Sequence, residues 1–281
     1  MACGDLKGEK GKAVKYIVEN AEVAAFLSIG ELAAKIGTST STLTRTAAAL
    51  GYANFSEMQK DVQNYIRQQL HTTLLPTERM ERSPVNSESF HFRDSFDWDM
   101  KNIQSTLNTI SEDLFRRAVS YLHEARQVYV AGIRTQYSCA SFFSIVMGQI
   151  RKGVSLVPLG SDLYQEWIEQ FCPEDVLLGI SLPRYARNLF MVTQEAERAG
   201  CKIIAITGNE MSPSGRLADI VFQVEYESMS FFNSNAATMV LLNALATAVA
   251  LCDVESSQKR LLAMNKIATR WNVFCPQDVD V

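Results

Sequence analysis

The stretch Val176-Leu-Leu-Gly-Ile-Ser-Leu-Pro-Arg-Tyr-Ala-Arg187 decides the fold, because an apolar run stops abruptly in a hydroxyl, a proline, two arginines and a phenol. A parallel strand covered on both faces is almost continuously apolar, and open α/β sheets bind ligands beyond the carboxyl ends of their strands. Ser181, Arg184 and Tyr185 stand just past that end. The competing reading is a plain strand-to-helix turn, in which Pro183 stops the strand and the arginines are solvated.

Outward from this stretch, residues 127–131, 154–157, 176–181, 202–207 and 220–224 are short runs rich in Val and Ile, separated by helical stretches. Right-handed β-α-β crossovers turn such a pattern into a five-stranded parallel sheet with helices on both faces, a three-layer α/β domain. If the strand order is 2-1-3-4-5, a crevice opens between the first and third strands. Its walls are the loops Gly132 to Ser138 and Ser181 to Arg187, with the loop after the fourth strand alongside. The candidate ligand-binding residues are therefore Arg134, Gln136, Ser181, Arg184, Tyr185, Thr207 and Ser212. Arginines grip phosphate or carboxylate through paired N–H donors, so the ligand expected is an anionic small molecule.

Upstream, residues 10–70 show helical periodicity and no plausible strand. Val14, Ile17, Val18 and Ala21 make one apolar face, and Leu32, Ala33 and Ile36 another. Ser28 precedes Glu31 by three, the spacing of a capping box, and Gly37 ends the helix that starts there. The hydroxyls of Thr38-Ser39-Thr40-Ser41-Thr42 cap a further helix running to about Leu50, which Gly51 ends. Two short helices joined by a tight turn have the spacing of a helix-turn-helix, whose second helix enters the DNA major groove. With Leu43, Ala47 and Leu50 inward, Ser39, Thr40, Thr42, Arg45 and Thr46 are the candidate DNA-binding residues. A helical bundle that binds nothing has the same periodicity. Residues 54–70 form one more amphipathic helix, with Phe55, Met58, Val62, Tyr65 and Ile66 on its apolar side. The prolines, hydroxyls and alternating charges of residues 75–89 read as an exposed linker. The expected organisation is an all-α helix-turn-helix bundle at 1–75, a linker at 76–95 and an α/β domain at 96–281.

Composition narrows the function classes. The 281 residues are 47% hydrophobic and 21% charged, with a formal net charge of -4, which excludes a generally polybasic protein. Residues 1–75 carry eight Lys/Arg against seven Asp/Glu, so DNA contact must be local. The six cysteines are far apart and form no C-x-x-C pair. They read as reduced thiols of a cytoplasmic protein, with neither a disulfide frame nor a metal site, and no cofactor is implied. Residues 228–252 lack any charge, which is long enough to suggest a membrane span. Asn233, Asn235 and Asn243 inside it and the acidic flanks Glu227 and Asp253 favour instead a buried helix at a domain or subunit interface, so no membrane partner is expected and at least a homodimer is.

The chain resembles the RpiR-type bacterial transcriptional regulators, in which a helix-turn-helix domain precedes a sugar-isomerase (SIS) domain. The resemblance rests on Phe26-Leu-Ser-Ile-Gly-Glu-Leu-Ala-Ala34, Ser39, Thr42, Arg45, Leu50-Gly-Tyr52 and Phe55-Ser-Glu-Met58 in the first part. In the second it rests on Asp175-Val-Leu-Leu-Gly-Ile-Ser181, Ala199-Gly200, Ile204-Ala-Ile-Thr207, Ser212-Pro213 and Ala218-Asp219. Two loops depart from it. The first loop, G-x-G-x-S in the family, is Gly132-Ile-Arg-Thr-Gln136 here, and the third, S-x-S-G-x-T, is Ser181-Leu-Pro-Arg-Tyr185. Both changes keep an anionic ligand and weaken the case for a phosphosugar. The resemblance implies operator DNA as a partner and a ligand-responsive regulator without catalysis. Two alternatives are a sugar-phosphate isomerase with an added helical domain and a sensing protein that meets other proteins. An isomerase needs a general base. The three histidines avoid the strand ends, leaving Glu166 and Glu169 as the carboxylates to test.

Overall fold

A computed structural model describes residues 8–20, 24, 27–62, 91–161, 164–229 and 232–273. The chain divides into two compact units, Met1–Arg79 and Met80–Val281. The linker expected at 76–95 lies outside the described residues as far as residue 90, as do Ala21, Tyr65, Ile66 and His71.

In the first unit, α1 (Glu9–Glu19), α2 (Ile29–Ile36), α3 (Thr40–Ala49) and α4 (residues 55–62) surround a core of Ala13, Ile17, Leu32, Ile36, Leu43 and Ala47, closed by Phe55 and Met58. The start of α2 is the capping box that the Ser28/Glu31 spacing predicts. The Glu31 amide donates to Ser28 Oγ at 3.3 Å, and the Ser28 amide donates to the Glu31 carboxylate at 2.8 Å. The Ser28 hydroxyl, which donates to the same carboxylate at 2.6 Å, and then the Ser28 amide hold the Glu31 carboxyl below the usual carboxylate range. Gly37 ends α2 at φ 74°, in the left-handed region that only glycine enters without cost. Ser39 then caps α3 by accepting from the Thr42 amide at 3.1 Å. One expectation fails here: Val18 is exposed, because α1 turns its Ala13/Val14/Ile17 side to the core.

In the second unit, α5 (Phe92–Thr109) and α6 (Glu112–Glu124) precede an alternating pattern. It runs β1 (Val128–Gly132), α7 (Gln136–Ile150), β2 (Val154–Leu156), α8 (Gln165–Ile168), β3 (Val176–Ser181), α9 (Arg187–Arg198), β4 (Lys202–Thr207) and β5 (Ile220–Gln223). The strands pair in the order β2-β1-β3-β4-β5, all parallel, with Gly132 level with Ile180, and Ser181 level with Thr207. Every residue of β1 and β3 is buried. Alternate residues serve opposite faces, since Val128, Val130, Leu178 and Ile204 pack with α6, α7 and α10 (Ala236–Cys252), while Tyr129, Leu177 and Ile203 pack with Leu189, Val192 and Ala196 of α9.

The uncharged segment resolves into α10, whose Leu241, Leu242, Leu245, Ala246 and Val249 are buried within the subunit's own core. Its other side keeps Val240 and Leu251 exposed. Exposed apolar side chains concentrate on α5 and on α11 (Val254–Arg270). Among the described residues no single helix is long and apolar enough to cross a membrane.

Candidate functional site

The strand order reverses between β1 and β3, the place where open α/β sheets bind ligands, and α7 and α9 start in the two loops there. Gly132 is needed where β1 turns into α7, because a Cβ there would lie 2.6 Å from the Gln136 carbonyl oxygen. Arg134 follows at φ 60°, the left-handed region, and its side chain is exposed. It occupies the place that the resembled loop gives to a glycine, the residue that enters this backbone region at no steric cost. A non-glycine residue pays roughly 1–2 kcal/mol to stand there.

Gln136, on the first turn of α7, is buried. Its Nε2 donates to Asn235 Oδ1 at 2.9 Å, and the Asn235 side-chain amide donates to the Thr135 carbonyl at 3.2 Å. A backbone carbonyl can only accept, so this chain of bonds fixes both amide orientations. Gln136 Oε1 is then left buried with no hydrogen-bond partner among the described residues, as is Thr238 Oγ1 one turn into α10. Asn235 carries no signal in the sequence that ties it to this loop, since it lies 99 positions from Gln136.

Across the crevice, Ser181 closes β3 and is buried, Arg184 is exposed and Tyr185 is half-buried. Asn233 donates to the Pro183 carbonyl at 2.6 Å, and the Tyr226 ring fills the space where a Cβ on Gly208 would lie. Pro183 and Asn233, and Gly208 and Tyr226, are thereby held against one another. Among the described residues neither Arg134 nor Arg184 forms an ion pair.

Thr207 and Ser212 bond within their own loop. Thr207 Oγ1 donates to Ser212 Oγ at 2.9 Å, and Ser212 Oγ accepts the Gly215 amide at 3.1 Å, all three being buried. These bonds fold the β4 loop onto itself and take up the Thr207 hydroxyl hydrogen, while Ser212 Oγ accepts in both. Glu166 and Glu169 are exposed on and just beyond the short helix α8.

In the first unit, Ser39, Thr40 and Arg45 are exposed and Thr42 is half-buried. Thr46 is a correction: it is fully buried, and its hydroxyl donates to the Thr42 carbonyl at 2.8 Å. It stands three residues after Leu43, and a helix turns a residue at that spacing onto the same face as the core residue. The same wheel exposes Ser41 and Thr44, two hydroxyls absent from the candidates drawn from sequence. Arg45 Nε donates to the Ser41 carbonyl at 3.3 Å, and among the described residues the guanidinium has no carboxylate partner.

Comparison with known proteins agrees with this architecture. Residues 121–248 match the SIS domain model. An HTH-type transcriptional regulator of Escherichia coli K12, YfhH, is 25% identical over 201 residues, covering 70% of this chain and 69% of that protein. The HTH-type transcriptional regulator RpiR of the same organism is 22% identical over 279 residues, covering 95% of this chain and 88% of its own. Among solved structures, the sugar isomerase domain of an RpiR transcription factor from Sphaerobacter thermophilus superposes with a TM-score of 0.60 at 22% identity, covering 62% of this chain and 97% of that one. The Vibrio vulnificus NanR protein complexed with ManNAc-6P superposes with a TM-score of 0.57 at 15% identity, covering 95% of each chain. Residues 121–248 are thus a SIS domain, and along 95% of its length the chain resembles the RpiR-type transcriptional regulators.

Proposed function

We propose that this chain is a transcriptional regulator that binds operator DNA through α3 and senses an anionic small metabolite in the crevice of its SIS domain. The observation that carries the reading is the pairing of a capped helix-turn-helix, with Arg45 free of any carboxylate among the described residues, with a switch-point crevice bearing Arg134 and Arg184. Small hydroxyls at Ser39, Thr40 and Thr42 and one arginine suit contacts to phosphates and base edges. In the crevice, α7 and α9 both start without a side-chain cap, so their amides and partial positive charge add to the two guanidiniums. Ser181, Tyr185 and Gln136 supply the neutral contacts. ManNAc-6P, held by a protein of the same fold, is an anionic sugar and supports this ligand class.

The regulator works as at least a homodimer. An effector changes DNA affinity only by binding one subunit arrangement better than another, and operators of two half-sites match a twofold dimer. The two carboxylates that the isomerase alternative names, Glu166 and Glu169, are exposed to solvent. Two measurements test the proposal together: calorimetric titration with phosphosugars and sugar acids, and operator gel shifts across a salt series. DNA binding through phosphates weakens steeply with salt. Salt-insensitive binding would point to a protein partner, and turnover of a sugar phosphate lost in Glu166→Gln would restore the isomerase.

A further inference from the structure

Between β5 and α10 the chain bonds in two directions at once. Toward the crevice, Asn233 donates to the Pro183 carbonyl at 2.6 Å and Asn235 donates to the Thr135 carbonyl at 3.2 Å. Pro183 precedes Arg184 and Thr135 follows Arg134, so each asparagine holds the backbone beside one crevice arginine. Ser234, the residue between them, turns the other way and donates to Asp99 Oδ1 of α5 at 2.5 Å. Its amide donates to the Tyr226 carbonyl at 2.9 Å, which ties residues 233–235 to residues 223–227.

The second of these stretches runs along α5. Thr109 Oγ1 donates to the Gln223 carbonyl at 3.2 Å, the Glu225 amide donates to Thr106 Oγ1 at 2.9 Å, and Asn102 Nδ2 donates to the Glu227 carbonyl at 2.6 Å. With the Asp99–Ser234 bond, these contacts follow α5 for about three turns. α5 lies against α10, yet its buried residues, Asn102 and Thr106, are both polar. Among the described residues no apolar side chain of α5 joins either core of this domain, and Phe92, Phe96, Met100 and Leu107 are exposed. The helix is therefore seated by hydrogen bonds more than by an apolar face. A hydrogen bond is exchanged for water at small net cost, whereas close apolar packing is forfeited by a shift of an ångström, so a helix seated this way has a second position within reach. In the sequence, α5 follows the stretch that leads from the helix-turn-helix unit.

We infer that Asp99 and Ser234 are the positioning residues of the effector response. An anion drawn between Arg134 and Arg184 shifts the two loops, Asn233 and Asn235 move with the backbone they hold, and Ser234 passes the shift to α5. The inference rests on the sensing regulator of the proposed function and names its route out of the crevice. Bound and empty crevices then favour different seatings of α5, which supplies the difference between two states that an effector needs in order to act at a second site.

Two measurements on the full chain test this. The first needs no ligand: Asn233→Ala/Asn235→Ala cuts the crevice loops from Ser234, and hydrogen exchange is read along α5. Exchange at least about threefold faster than in the wild type is expected there, although neither substitution lies on α5. Wild-type exchange on α5 would overturn the route. The second uses a palindromic duplex selected by the chain from a random library, with ManNAc-6P, gluconate and inorganic phosphate as probes in turn. A probe that binds the wild type is expected to change its affinity for the duplex about tenfold. Asp99→Ala should hold its calorimetric affinity for the probe, and its affinity for the duplex without probe, within about twofold of wild type while the tenfold response collapses. Asp99→Asn keeps Oδ1 as an acceptor and should keep the response, which loss of a charge or of fold stability would not predict. A full response in Asp99→Ala would overturn the inference and leave the sensing regulator standing. No heat from any probe would remove the sensing reading itself, and the exchange result alone then decides whether the crevice and α5 are joined.

Discussion

The two ends of the sheet use arginine in opposite ways. At the amino end, Arg126 donates to Asp175 from Nε at 2.9 Å and from Nη2 at 2.7 Å, and Asp175 also accepts the Cys172 amide at 3.1 Å. The carboxylate is fully buried while the guanidinium side chain is 54% exposed. At the carboxyl end, Arg134 and Arg184 are exposed and form no ion pair among the described residues. One arginine is consumed in neutralising a buried charge, and two are left without an ion pair among the described residues, as the proposed anion contacts require. Position relative to the strands, and not residue type, separates the paired guanidinium from the two proposed for recognition.

The largest effect should come from the committed arginine. Arg126→Ala strands the buried Asp175 carboxylate and is expected to lower the thermal midpoint more than any substitution at Arg45, Arg134, Arg184 or Thr207, and more than Asp175→Asn, whose leftover guanidinium can turn to water. A midpoint equal to wild type by calorimetry would break the contrast between the two ends. Next comes Arg45→Ala, expected to cost operator affinity about 1–3 kcal/mol per bidentate base contact, doubled over two half-sites. Gel shifts check it, with Thr46→Val as the control that should leave DNA binding unchanged. Arg184→Ala should weaken effector binding by about 1.5–3 kcal/mol at unchanged thermal midpoint and unchanged operator affinity in the absence of effector. Calorimetric titration reads this directly, and unchanged affinity would move the anion to Arg134 or elsewhere. Arg134→Gly sharpens the comparison with two opposed signs, since relief of the left-handed backbone should raise stability by up to about 1 kcal/mol while anion affinity falls. Smallest is Thr207→Val, expected to lose about 1 kcal/mol of stability as the β4 loop loses its hydroxyl tether, with less effect on effector affinity than Arg184→Ala.

Local patterns were legible wherever the chain answers to its near neighbours. The Ser28/Glu31 spacing, Gly37 and Ser39 specify their caps because the partners lie within five residues. Thr46 and Val18 were misplaced for a different reason. A helical pattern shows that a face is buried, but the width of the buried arc depends on what packs against it, and α1 and α3 pack closely enough to enclose Thr46. The hydroxyls of Thr207 and Ser212 stand in the order the family pattern requires, yet they bond to each other and to Gly215. Composition cannot tell a donor held for a ligand from one spent on its own loop.

By itself the amino-acid order determined the alternation of strand and helix, the parallel sheet and its crevice, and the capped helix pair, because periodicity, turn residues and the fixed hand of β-α-β crossovers act locally or through chirality. Tertiary structure alone decided which polar groups are spent and which apolar faces are left over. Asn235 reaches Gln136 from 99 positions away, and α10, the most apolar helix, buries Leu241, Leu242, Leu245 and Val249 in the core while the more polar α5 leaves Phe92, Phe96, Met100 and Leu107 exposed. Burial and hydrogen-bond partnership are properties of packed neighbours, and neighbours distant in sequence are brought together only by the fold.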